Sequence, residues 1–198
     1  MSSQTDESTP SREAAFALLG EWVQSDSLRR HCLAVEAAMR MQARERGADE
    51  ELWGMCGLLH DLDYERHPEP DTGHPRIAMA ELQKLGYPPE LVRAVGSHAD
   101  YMGIERVSEM ERALAAVDEL SGFVLACAYV RPEGMGGLRA KSVRKKLRQP
   151  SFAAAVNRED IARGSRELGV ELDELIEQVI AAIAPIAPQL GLAGGQTP

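Results

Sequence analysis

The chain has 198 residues, of which 44% are apolar, 5% aromatic and 27% charged, with a formal net charge of −9. This length and apolar content suit a folded protein with a sizeable core and exclude a disordered chain. The acidic balance argues against general nucleic-acid binding, because a phosphate backbone rewards a basic face.

In chain order, Met1 to Ser11 is polar and lacks the apolar core of a signal peptide, and residues 1–10 read as a mobile tail. From Ser11 to about Val23, Ala14, Phe16, Ala17, Leu18 and Trp22 recur at helical spacing. Ser25 or Asp26 caps a second helix to Arg46, with Gly47 as its stop and a stripe of Leu28, Cys32, Val35, Ala38 and Met39. Asp49 opens a third helix through Leu52, Met55, Leu58, Leu59 and Leu62. Asp63 to Gly73 contains Pro68 and Pro70 and reads as a loop. Pro75 then suits the first turn of a helix to Lys84, ended by Gly86, and Pro88-Pro89 starts another from Glu90 to about Ala99. A longer helix runs from Ser108 to Tyr129. Gly134 to Gly137 reads as a flexible break, followed by a basic segment from Arg139 to Arg148 and a last helix from Leu172 to about Ala184. From Gly191 the chain is Gly-rich and expected to fray. No alternating strand pattern and no repeat occurs, so the fold class is all-α.

Cys32, Cys56 and Cys127 are odd in number and widely spaced, which fits buried thiols in a reducing compartment better than a disulfide framework. No apolar run reaches the roughly 18 residues of a membrane helix, so a cytoplasmic protein with no membrane partner is expected.

Five histidines remain: His31, His60, His67, His74 and His98. Four fall on or at the ends of predicted helices, and His60 is followed directly by Asp61. Helices are rigid platforms from which side chains can converge on one ion, and imidazole with carboxylate suits Zn, Fe, Mn, Ni or Co better than Ca. Taken singly, each histidine is an ordinary hydrogen-bonded residue; the case rests on their joint order.

That order resembles a known family. His31, then Gly57-Leu58-Leu59-His60-Asp61, then Ala116-Val117-Asp118 is similar to the H…HD…D signature of HD-domain phosphohydrolases. His74 and His98 lie between the HD pair and the last aspartate, as in superfamily members that hold two metals, which include HD-GYP phosphodiesterases and mixed-valent di-iron oxygenases. The segments His60 to Glu65, Gly73-His74-Pro75 and Ser97 to Asp100 also resemble an uncharacterised bacterial group of predicted HD hydrolases. The resemblance covers about residues 27–130. It departs from the HD-GYP pattern, which has two adjacent histidines where this chain has His98-Ala99-Asp100, and the GYP tripeptide is missing.

The resemblance implies an HD-type helical domain over residues 11–190, with its core at about 27–130 and a C-terminal helical extension at about 138–190. It implies one or two divalent transition ions held by His31, His60, Asp61, His74, His98 and Asp118, with Asp61 bridging and with His60 and Asp61 central to catalysis. Asp63 and Glu65 are candidates for orienting ligands, Glu119 is expected on a helix surface, and Asp100 is a helix-end carboxylate. His67 lies in the Pro-rich loop and is left outside the ligand set. Lys141, Lys145 and Lys146, in the one dense basic run, are the expected contacts for a substrate phosphate. The expected activity is hydrolysis of a phosphate ester of a nucleotide or another small metabolite. A di-iron oxygenase with the same ligands and a non-catalytic nucleotide-binding module are the alternatives.

Overall fold

The computed structural model describes residues 10–192. Nine helices follow one another in these residues: α1 (Arg12–Trp22), α2 (Asp26–Arg46), α3 (Glu50–Leu59), α4 (Arg76–Lys84), α5 (Pro89–His98), α6 (Glu109–Tyr129), α7 (Ala140–Leu147), α8 (Arg158–Leu168) and α9 (Leu172–Ile183). Single 3-10 turns occupy Asp100–Met102 and Ala184–Ile186, and no β-strand occurs among the described residues. None of these helices is long and apolar enough to cross a membrane.

Local chemistry explains where the helices begin. The side chains of Ser25 and Asp49 accept from the first free amides of α2 and α3. Ser108 and Glu111 cap α6 reciprocally, the serine hydroxyl accepting from the Glu111 amide and the Glu111 carboxylate from the Ser108 amide. Gly47, at φ 64°, ends α2 in the left-handed conformation that a Cβ disfavours.

Helix α2 lies along α3 and α6, α5 packs on α3, α4 and α6, and α8 packs on α6. Two glycines set the spacing at the centre of the bundle. A Cβ on Gly57 would sit 2.8 Å from the carbonyl oxygen of Val35, and one on Gly164 would sit 2.6 Å from Cα of Ala116. Only glycine therefore lets α3 rest against α2, and α8 against α6, at these distances. Val35, Met39, Leu58, Leu59, Val117, Leu120 and Phe123 are fully buried in the core between them.

Several elements differ from the sequence reading. Helix α3 ends at Leu59 instead of running through Leu62, because the chain tightens there into successive i→i+3 turns (Leu62 to Leu59, 3.2 Å; Tyr64 to Asp61, 3.1 Å). Pro75 caps α4 and is not its first helical residue. The basic segment forms α7, and α8 is a helix that the apolar pattern does not announce. The glycine-rich break is a built turn: Arg131 donates to the carbonyls of Gly134 (3.2 Å) and Gly136 (2.7 Å), and Met135 is buried. Of the two expected tails, residues 1–9 and 193–198 lie outside the described residues. Leu192 is not frayed, since it is buried and its amide donates to Ala187 at 2.8 Å. All three cysteines are free and buried, and burial pushes the Cys32 and Cys56 thiols up to about 12.

Candidate metal centre

Six side chains arrive from five places. His31 lies on α2, His60 and Asp61 follow the end of α3, His74 precedes α4, His98 is the last residue of α5, and Asp118 is in the middle of α6. The structure brings all six together in two groups, each able to hold a metal ion: His31, His60 and Asp118, and Asp61, His74 and His98. In the first, Nε2 of His31 is 3.2 Å from Nε2 of His60 and 3.0 Å from Oδ1 of Asp118, which is 3.3 Å from Nε2 of His60. In the second, Nε2 of His74 and Nε2 of His98 are 3.1 Å apart.

Asp61 joins the two groups through different oxygens. Its Oδ2 faces His60 (3.4 Å) and His31 (3.7 Å), while its Oδ1 faces His74 (3.5 Å) and His98 (3.7 Å).

The tautomers follow from the partners. Nδ1 of His60 lies 2.8 Å from the Gly57 carbonyl, Nδ1 of His98 lies 2.5 Å from the Val95 carbonyl, and Nδ1 of His74 lies 2.7 Å from Oδ1 of Asp63. These oxygens only accept, so each Nδ1 carries the proton and donates. That leaves Nε2 as the ring atom turned toward the cluster and available to ligate. The Nε2 atoms of His74 and His98, 3.1 Å apart with a carboxylate oxygen beside them, point at a common position where a shared cation would meet their lone pairs. The donor set of imidazole nitrogen and carboxylate oxygen fits a divalent transition ion.

The carboxylates make the cluster a place that favours positive charge. Burial opposes a charged His60, but Asp61 and Asp118 outweigh it and raise the imidazole well above its ordinary value. Burial likewise opposes charge on Asp61 and Asp118, yet the surrounding imidazoles hold both carboxyls well below the usual carboxylate range.

Asp63 is fully buried and also accepts from the Ala78 amide at 2.7 Å, so it fixes His74 to the start of α4. Glu65 acts elsewhere, accepting from the amides of Gln24 (2.8 Å) and Ser25 (2.9 Å) ahead of α2. His67 sets its ring against Trp22 and its carbonyl accepts from the His74 amide.

The two groups open into a cleft of about 700 Å³ that is also lined by Tyr101, Arg106, Glu119, Asn157, Asp160 and Arg163. Glu119 therefore lines the cleft beside Asp118, not an outer helix surface; burial, with Asp118 adding to it, pushes its carboxyl up to about 7. Asp100 pairs with both Arg106 and Arg163. Lys141, Lys145 and Lys146 lie on α7, and none of them lines the cleft. Lys146 sits instead over the Phe152 ring, 4.4 Å from its centroid. The cations at the cleft are Arg106 and Arg163, which sequence reasoning missed. They come from separate elements with no local pattern, and only the packing of α8 on α6 brings Arg163 there.

Part of the chain is similar to Ribonuclease Y of Rhodopirellula baltica, at 30% identity over 125 residues, which is 63% of this chain and 22% of that protein. Ribonuclease Y of Thermus thermophilus is 32% identical over 92 residues, 46% of this chain and 16% of the relative. The similarity thus spans about a fifth of those proteins. No solved structure gives a significant match. The HD domain model matches residues 28–126, a span that contains all six clustered side chains and half of the sequence, and on that match the chain belongs to the HD-domain family.

Proposed function

We propose that this protein is a metal-dependent phosphohydrolase that cleaves a phosphate ester of a nucleotide or another small metabolite. The observation that carries the reading is the pair of facing Nε2 atoms of His74 and His98 beside an Asp61 carboxylate shared with His31, His60 and Asp118. His31, His60, Asp118 and one Asp61 oxygen would hold one ion; His74, His98 and the other Asp61 oxygen would hold a second. Divalent ions so placed lower the pKa of bound water and take up charge on phosphoryl oxygens.

The chain's own groups prepare that chemistry. Asp63 keeps the proton on Nδ1 of His74, leaving Nε2 free to ligate. Arg163 lines the cleft with its guanidinium paired to Asp100 and Asp160, and it is more exposed than Arg106, so it is the cation open to a substrate phosphate. The relatives are ribonucleases by name, acting on a phosphodiester polymer. Here Asp100, Glu119, Glu159 and Asp160 line the cleft and the net charge is −9, which supports a small ester over a long polyanion.

The test is metal analysis of protein purified without chelator, together with a panel of phosphate esters assayed with Mn, Fe, Zn, Ni and Co. Between one and two equivalents of metal and turnover that persists without oxygen are expected. Protein that takes up no metal, or a reaction that requires both iron and oxygen with no phosphatase activity under any metal, would overturn the hydrolase reading.

A further inference from the structure

We infer that Arg106 is a positioning residue that clamps metal ligand His98 and makes the second metal group depend on helix α8, which lies outside the span matched by the family. This rests on the metal-binding reading above. Arg106 sits between α5 and α6, and its side chain is only 10% exposed. Its Nε donates to the carbonyl of Ser97 at 3.0 Å, and its Nη2 donates to the carbonyl of His98 at 3.1 Å. These carbonyls end α5, where a helix has no internal donors left and its dipole favours a cation. The guanidinium thus closes the last turn of the helix whose final residue is a candidate ligand.

The other side of the guanidinium is held by acids. Nη2 also pairs with Asp100, and Nη1 donates to Oε2 of Glu167 on α8 at 3.1 Å. Arg163, one turn before Glu167 on α8, pairs with the second oxygen of Asp100. An ionic chain therefore runs from α8 through Glu167, Arg163 and Asp100 to Arg106, and from Arg106 to the backbone of His98. His31 needs no such clamp, since it lies within α2, more than a turn from either end, where the helix fixes its backbone already. His98 has no such support, since its Nδ1 bonds only within its own helix, to Val95. If the end of α5 unwinds, the ring leaves the 3.1 Å approach to His74 that defines the second group.

The clamp acts on the group of Asp61, His74 and His98 and leaves that of His31, His60 and Asp118 in place. Lysine cannot replace arginine, because one ammonium cannot meet two carbonyls and two carboxylates in a planar fork.

The experiment is Mn titration of full-length wild-type, Arg106→Ala, Arg106→Lys and His74→Ala proteins, read as equivalents bound and as metal-induced change in Tm. Wild type is expected to bind two equivalents and His74→Ala one. Arg106→Ala should bind the second equivalent about 10- to 100-fold more weakly, Arg106→Lys should recover little, and Arg106→Ala combined with His74→Ala should lose no more than His74→Ala alone. Glu167→Gln, at the α8 end of the chain and partly exposed, should weaken the same equivalent while keeping the fold, and it decides the matter if Arg106→Ala does not fold. Two equivalents of unchanged affinity in a folded Arg106→Ala, or in Glu167→Gln when Arg106→Ala does not fold, would overturn the clamp alone. Wild-type protein that binds no metal would overturn the metal reading and the clamp with it.

Discussion

Asp63 has no exposed surface, and each of its oxygens accepts one hydrogen bond at 2.7 Å, Oδ1 from Nδ1 of His74 and Oδ2 from the Ala78 amide. Asp63→Ala removes both acceptors and leaves two buried N–H groups facing a void. A hydrogen bond to a charged group contributes about 1.5–3 kcal/mol. The metal-free variant should therefore lose about 3–5 kcal/mol, a fall in Tm of roughly 6–20 °C for a protein of this size. The second consequence is local. Without Asp63 the His74 ring can rotate and place its proton on either nitrogen, so Nε2 no longer presents a fixed lone pair; loss of such a partner weakens metal affinity about 10- to 100-fold. Asp63→Asn separates the two effects, because its amide oxygen serves one donor while its NH2 group faces the other. Calorimetry of the metal-free proteins and competitive Mn titration measure both quantities. An Asp63→Ala protein with an unchanged Tm and unchanged affinity for its second equivalent would show that His74 is held by something else and refute the reasoning.

Asp61 faces both groups and Asp118 only the first, so Asp61→Ala should abolish binding of both equivalents and Asp118→Ala of one, as counted by metal analysis after dialysis. Because Lys145 and Lys146 lie away from the cleft, replacing both by Ala should leave affinity for a phosphorylated ligand unchanged; Arg163→Ala should weaken it, most at low salt, in calorimetric titrations. In the metal-free protein His60 is raised, so its contribution is full below the ordinary histidine value and lost as pH rises through its raised one. Asp61 and Asp118 are depressed, so theirs is present above the ordinary aspartate value and lost as pH falls through their lowered ones. The metal-free Tm from these groups should therefore peak between about pH 4 and about pH 6.5. Metal binding displaces the proton that His60 holds above its ordinary value, so the Tm gain on adding Mn should grow as pH rises beyond about 6.5, and a gain independent of pH would contradict the ligand set.

The sequence by itself determined the helical class and most helix starts, because caps are local: Ser25, Asp49 and Ser108 each satisfy amides within three residues of themselves. It also carried the six clustered side chains, since their order along the chain is a one-dimensional signal. Helix α8 escaped the apolar pattern because only Ile161, Gly164 and Ser165 on it are buried, too few to draw a stripe; the readable signs were its caps, Asn157 before it and Gly169 after it. What only the tertiary structure decided is which charges meet. The lysine run looked like a phosphate site because it is dense, but density along the chain says nothing about where α7 packs, and it packs on α9 and α6 away from the cleft. Arg106 and Arg163 are isolated in sequence and reach the cleft through long-range packing, as Asp63 reaches His74 across eleven residues and Asp118 reaches His31 across 87. The division of the Asp61 carboxylate between two groups is likewise set by the approach of α2, α5 and α6 around the end of α3, where a glycine with no Cβ allows the helices to close.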